Sequence, residues 1–299
     1  MTALDPVGVL LVDKESGWTS HDVVAKIRSS LKIKKVGHAG TLDPLATGLL
    51  VLGVGRATRL LRYFQEAPKR YTAKICFGVA TDTLDSDGAI LTREAMRFEA
   101  ADLEAVFGRF SGVIMQIPPM VSARRVEGRR LYEFAREGKT IEREARPVEI
   151  YSMQLLDFAP GNYPEAVIEV ACSKGTYVRT LADDLARALG GRAHLTALRR
   201  TAIGSLLVEA ATTVSTIVSE ERTEEWHGRL INPAVALADF PSVEITGDVA
   251  RAVENGMTLA GHHLGNTQEG LLRIVNEKGR LLAVYRMAGK KAFPEVVLS

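Results

Sequence analysis

The run Gly37-His38-Ala39-Gly40-Thr41-Leu42-Asp43-Pro44-Leu45-Ala46-Thr47-Gly48 constrains the fold more than any other stretch of the chain. Glycine permits backbone shapes that other residues resist, and Pro44 holds Asp43 away from helical geometry. The run is therefore expected to be a shaped loop. Before it, Val24, Ile27 and Leu31 fall at helical spacing behind Ser20, which can cap the helix. After it, Leu49 to Val54 reads as a buried strand.

The remaining elements are mixed. Val9 to Val12 predicts a short strand, and Arg56 to Gln65 a helix with Leu60, Leu61 and Phe64 inward. Tyr71 to Val79 alternates, with Tyr71, Ala73, Ile75, Phe77 and Val79 on one face. Asp87-Gly88 marks a hairpin turn. Helices are expected over 101–108 and 131–136, strands over 149–158 and 166–172. Thr176 opens an amphipathic helix whose Val178, Leu181, Leu185 and Leu189 form one stripe. Strands outnumber helices without regular alternation, which predicts α+β rather than a doubly wound sheet. Residues 1–240 read as the main domain, ending in an acidic, proline-marked linker over about 212–242. Short strands then predict a small β-barrel-like module over 243–299.

Composition excludes several classes. With 46% hydrophobic and 25% charged residues, the chain is globular. No apolar run approaches the ~20 residues of a membrane span, and Met1 to Lys14 lacks the pattern of a secretory leader. Cys76 and Cys172 alone cannot build a disulfide scaffold or a four-thiolate zinc site, so a cytoplasmic setting is expected. The net charge of +2 conceals a bias: residues 24–74 hold eleven Lys or Arg against Asp43 and Glu66. A second basic block covers 172–200. Such blocks suit a polyanionic partner, or equally a solvated helix face.

Asp43 lies inside the first block. A single carboxylate on a glycine loop can meet an anionic ligand without repulsion from other acids. Neighbouring cations would keep it ionised, as a nucleophile or a base.

The whole segment from Gly37 to Gly48 resembles the catalytic motif of the TruB family of tRNA pseudouridine-55 synthases. Further stretches resemble the family in the same order: Leu11-Val12-Asp13-Lys14, Lys69-Arg70-Tyr71, Thr81-Asp82-Thr83-Leu84-Asp85-Ser86-Asp87-Gly88, Ile117-Pro118-Pro119-Met120-Val121-Ser122-Ala123, and Ser173-Lys174-Gly175-Thr176-Tyr177-Val178-Arg179-Thr180. Ala193-His194-Leu195 and Leu198-Arg199-Arg200 extend the likeness across most of 7–201.

The resemblance implies a pseudouridine synthase fold with a mixed, largely antiparallel central sheet flanked by helices, plus a C-terminal PUA-like RNA-binding module. It implies isomerisation of uridine-55 in the T-arm of tRNA, on a flipped-out nucleoside, without cofactor or metal. Asp43 matches the essential aspartate, which could attack C6, attack C1′ or remove the C2′ proton. Tyr71 matches the tyrosine that stacks on the base, and Arg179 the basic partner of the aspartate. His38, Tyr177 and Leu198 match positions lining the uridine pocket or supporting the RNA loop. Lys32, Lys34, Lys35, Lys69, Arg70, Arg124, Arg125 and Arg129 are candidate phosphate contacts. A monomer with no obligatory protein partner is expected.

Two motifs are set aside. Thr83 to Glu94 approaches a calcium loop, but Thr83 replaces the first acidic ligand and the flanks read as strands. An Asp-Gly turn with an acidic contact to a neighbouring arginine fits better. Ser173-Lys174-Gly175-Thr176 lacks the spaced glycines of a P-loop.

Overall fold

The computed structural model describes residues 6–298 apart from 123, 124, 127, 140, 222, 224, 266 and 267. Its centre is a ten-stranded mixed sheet, most of whose strands run in the order Thr212–Thr213, Gly8–Lys14, Thr47–Val54, Ala193–Ile203, Lys69–Phe77, Glu165–Cys172, Arg146–Ala159, Gly112–Gln116. Two neighbouring pairs are parallel: Gly8–Lys14 with Thr212–Thr213, and Thr47–Val54 with Ala193–Ile203. The rest of that path is antiparallel.

Alternation explains how the sheet is covered. On Lys69–Phe77, Ala73, Ile75 and Phe77 are fully buried and share a cluster with Leu181 and Leu185 of the helix Val178–Ala188. That helix places its apolar stripe on the sheet, as its spacing predicts. The helix Ser20–Ser30 packs Val23, Val24 and Ile27 with Leu10, Leu50 and Leu52.

Its cap differs from the sequence reading. Thr19 closes a capping box with Asp22, its hydroxyl accepting from the Asp22 N–H at 3.1 Å. Ser20 is thereby free for another task, described below.

Parts of residues 212–242, expected to be a linker, pack against the main domain. The helix Val214–Ser219 and the buried Trp226 join the core beside Ser20–Ser30. Ile231 exchanges backbone hydrogen bonds with Val9 at 3.0 and 2.8 Å. Glu220 of the acidic stretch is taken up by the Arg229 guanidinium, whose Nε donates to it at 2.7 Å. Asn232 and Pro233 start the short helix Pro233–Ala236.

The C-terminal part forms a five-stranded sheet in the order Ser242–Glu244, Gly270–Val275, Leu281–Ala288, Lys291–Val297, Leu259–Ala260. One side holds its own core around Val253, Ile274 and Tyr285. Val284, Val296 and Leu298 instead join a cluster with Ala57, Leu60 and Leu237. Arg56, Arg59 and Arg62 seal this contact by donating to the carbonyls of Leu298, Val297 and Glu295. Three cations of the first basic block, though exposed, therefore spend hydrogen bonds on the C-terminal part.

Gly48 is the tightest point of the central sheet. It has a φ of +96°, and a Cβ there would lie 2.3 Å from the Arg200 carbonyl oxygen. Left-handed strain and overlap act together, so Gly48→Ala should lose more than about 2 kcal/mol of stability. Urea unfolding of the two proteins measures this.

Candidate active site

The Asp43 loop is pinned from both sides. Ser20, nearly fully buried, accepts from the Leu42 N–H at 2.8 Å, and its hydroxyl lies 3.3 Å from the Leu42 carbonyl it donates to. The Gly17 N–H donates to the Pro44 carbonyl at 2.9 Å, and Ala46 N–H to the Asp43 carbonyl at 3.1 Å. Leu42 and Ala46 are buried on either side. With its neighbours anchored inward, Asp43 keeps its side chain 38% exposed.

Lys14 is a second anchor. It is completely buried, and its ammonium donates to the carbonyls of Trp18 at 2.7 Å, Glu15 at 3.0 Å and Pro44 at 3.3 Å. Burial brings its pKa down to about 8, against the pull of the Asp43 charge.

Arg179 organises the acids. It lies in the first turn of Val178–Ala188 with its side chain 4% exposed. Nη2 meets Asp43 Oδ2 at 2.9 Å and donates to the Val121 carbonyl at 2.8 Å. Nη1 meets Asp85 Oδ2 at 3.2 Å and donates to the Thr83 carbonyl at 2.7 Å. The start of this helix is fixed by buried Gln116, which accepts from the Tyr177 N–H at 2.8 Å and donates to its carbonyl at 3.1 Å.

Asp85 corrects the expectation of a single, unrepelled carboxylate. The Asp-Gly turn delivers a second acid to the same guanidinium. Its other oxygen accepts from the Thr83 hydroxyl and from the Asp87 N–H at 3.2 Å. Burial raises the pKa of Asp43; Arg179 opposes the rise and the Asp85 charge adds to it. Neighbouring cations therefore do not win outright. The outcome is a carboxylate more basic than an ordinary aspartate, with one oxygen held by Arg179.

Tyr71 is half-buried on Lys69–Phe77 and packs against the cluster containing Leu42, Ala46, Val178 and Leu198. Burial raises its pKa. Leu198 is buried in that same cluster. Tyr177 occupies the cap position immediately before Val178. His38 is half-buried on Val36–His38, its Nδ1 has no hydrogen-bond partner, and burial lowers its pKa. Asp43, Arg179, Tyr71 and Leu198 thus converge, with Tyr177 on the adjoining helix start and His38 at the end of the strand that leads into the Asp43 loop.

The basic candidates divide. Lys34, Lys35 and Arg70 are exposed, and exposed Lys32 lies 3.5 Å from Glu221. Lys69 does not belong with them. Its ammonium is buried, donates to the carbonyls of Gln65 and Ala67, and has a pKa down to about 8 from burial. Strand alternation turns Lys69 inward and Arg70 outward. Arg129 is paired with Glu137 and lies over the Phe134 ring. Arg125 lies on a two-residue strand paired with Arg129–Arg130, and Arg124 lies outside the described residues. Lys14, Gln116 and the double role of Ser20 escaped the sequence reading. Their acceptors or donors are backbone groups, which leave no motif.

Residues 28–178 match the family described as TruB family pseudouridylate synthase (N terminal domain), and residues 179–237 match the tRNA pseudouridylate synthase B C-terminal domain. Among curated proteins, tRNA pseudouridine synthase B of Symbiobacterium thermophilum is 48% identical over 254 residues, covering 85% of this chain and 83% of that protein. The namesake from Moorella thermoacetica is 43% identical over 288 residues, covering 94% of each. Among solved structures, a Cbf5-Nop10-Gar1 complex contains a chain similar with a TM-score of 0.76 at 25% identity, covering 98% of this chain and 85% of that one. An H/ACA RNP bound to a substrate RNA containing 2′-deoxyuridine gives the same values.

Proposed function

The chain belongs to the TruB family and is a tRNA pseudouridine synthase, and on that premise we propose that it isomerises uridine 55 of the T-arm through Asp43. The observation that carries this reading is the 2.9 Å pair between Asp43 and a buried Arg179. Pure RNA binding gains nothing from a carboxylate presented to phosphates.

The target uridine leaves the stack at a cost of a few kcal/mol, offset by stacking on Tyr71 and by backbone contacts. Arg179 holds one Asp43 oxygen, leaving the other to take the C2′ proton of the ribose. The N1–C1′ bond breaks, and the electron pair departs with the base. The base turns within a pocket lined by Leu198 and Tyr177. C5 then bonds to C1′, the proton returns to C2′, and the C5 proton passes to solvent while N1 gains one. Atoms balance without an oxidant, reductant or cofactor. The raised pKa of Asp43 suits a base better than an ordinary carboxylate would.

Residues 1–240 carry the chemistry in this reading, and 243–299, a PUA-like module, contacts RNA. The protein acts as a cytoplasmic monomer. Among the described residues, no helix is long and apolar enough to cross a membrane.

The test is an unmodified tRNA transcript tritiated at uridine C5, mixed with the purified chain alone. One tritium per tRNA should be released, and none from a transcript with cytidine at position 55. Absence of release, or release only with an added guide RNA or protein, would overturn the proposal.

Phosphate binding gives a separate expectation. Exposed Lys34 and Lys35 precede Val36–His38, which leads into the Asp43 loop. The double variant Lys34→Glu/Lys35→Glu should reduce the slope of log affinity against log salt by about 1 per lysine. Filter binding across a salt series measures it, and the rate at saturating tRNA should stay within about twofold.

A further inference from the structure

Arg200 is the largest side chain the protein buries almost completely, at 1% exposure. A buried guanidinium is costly unless its donors are met. Three of its nitrogens donate to carbonyls. Nε donates to Leu49 at 2.8 Å, Nη2 to Gly40 at 3.2 Å and Nη1 to Thr41 at 3.5 Å. Gly40 and Thr41 lie just before Asp43, and Leu49 lies just beyond the end of the loop. The backbone of Arg200 grips the same loop, standing in parallel register with Gly48 where no Cβ fits. On its other side Arg200 stands in register with Tyr71, and its guanidinium lies beside the Tyr71 hydroxyl. A bulge follows at once, with the register shifting between Arg200 and Ala202. Bulges of this kind re-aim side chains next to active sites.

We propose that Arg200 is a positioning residue for the reaction: its guanidinium, spread over the carbonyls of Gly40, Thr41 and Leu49, holds the Asp43 loop in working geometry against Tyr71. This rests on the reading of Asp43 as the catalytic carboxylate. Arg200 acts through Asp43 and Tyr71 and touches no substrate. The task requires a fork, because the three acceptors diverge and a single ammonium cannot serve them all. A loop released by about 1 Å costs on the order of a hundredfold in rate.

The test compares Arg200→Met and Arg200→Lys with the wild type in the full chain. Single-turnover tritium release at saturating enzyme is measured beside tRNA affinity and thermal melting. Arg200→Met should lower the single-turnover rate about a hundredfold while tRNA Kd stays within about threefold. Arg200→Lys, which keeps the charge but not the fork, should recover part of the loss and run about tenfold below wild type. A folded Arg200→Met within about threefold of the wild-type rate would overturn the inference. So would a loss that disappears at saturation, or a lysine variant no better than methionine. Should Arg200→Met melt below the assay temperature, Arg200→Lys decides on rate and affinity alone. The wild-type arm separates the failures: a wild type releasing no tritium defeats the functional reading itself, and this inference with it.

Discussion

Asp43→Asn should abolish turnover, lowering single-turnover tritium release by about 10⁴-fold, while tRNA affinity remains within about tenfold. The substitution preserves shape and an acceptor oxygen but removes the carboxylate proposed to take the ribose proton. Because Leu42, Pro44 and Ala46 hold the loop through backbone contacts, the RNA surface should survive. Folding raises the Asp43 pKa, so its ionised form is less favourable in the folded than in the unfolded protein. The carboxyl is protonated in both states below its ordinary value of 3.8, and stability is lost as pH rises through the folded pKa. Asparagine removes that cost. The variant should therefore melt no lower than wild type at pH 7, and the difference should vanish in acid. Melting curves across pH check this, and a large destabilisation at neutral pH would contradict it.

Arg179→Met should damage stability and rate together. It leaves Asp85, whose side chain is 6% exposed, with its charge uncompensated, and strands the carbonyls of Thr83 and Val121. Breaking a buried pair in this way costs about 3–5 kcal/mol, measurable by urea unfolding. Asp85→Asn in the same background should restore part of the loss, because it removes the orphaned charge. Loss of an oriented cation should reduce the rate about 10²–10³-fold. The pH profile carries a further signature. Arg179 holds the Asp43 pKa down against burial and Asp85, so its removal raises that pKa further. Activity needs the ionised form, so the acid limb should move to higher pH.

The parts of the site legible in the sequence were those with local signatures. Glycine spacing around Asp43 announced a shaped loop, alternation placed Tyr71 on a strand beside the core, and helical spacing set Arg179 at a helix start. The Asp-Gly turn was recognisable, and so was an acidic contact from it to an arginine. The convergence of Asp85 and Asp43 on one guanidinium was not, because residues 43, 85 and 179 meet only through the sheet.

Charge was the least reliable guide. Arg56, Arg59 and Arg62 count with the basic block in sequence, yet they bind carbonyls of the last strand. Lys14, Lys69 and Arg200 go further and are buried on backbone acceptors. A cation written in the sequence looks the same whether it faces phosphate or a carbonyl. Burial decides, and burial is set by tertiary packing. Residues 212–242 show the same: their acids and prolines suggest a linker, and Trp226 and Ile231 pack on the core.

The most direct measurement is a crystal structure of this protein with a T-arm stem-loop carrying 5-fluorouridine at the target position. The account predicts an everted pyrimidine stacked on Tyr71, with the free Asp43 oxygen about 3–3.5 Å from the ribose C1′ or C2′ region and Arg179 still on the other oxygen. A nucleoside bound elsewhere, or one whose ribose is turned away from Asp43 towards solvent, would contradict it.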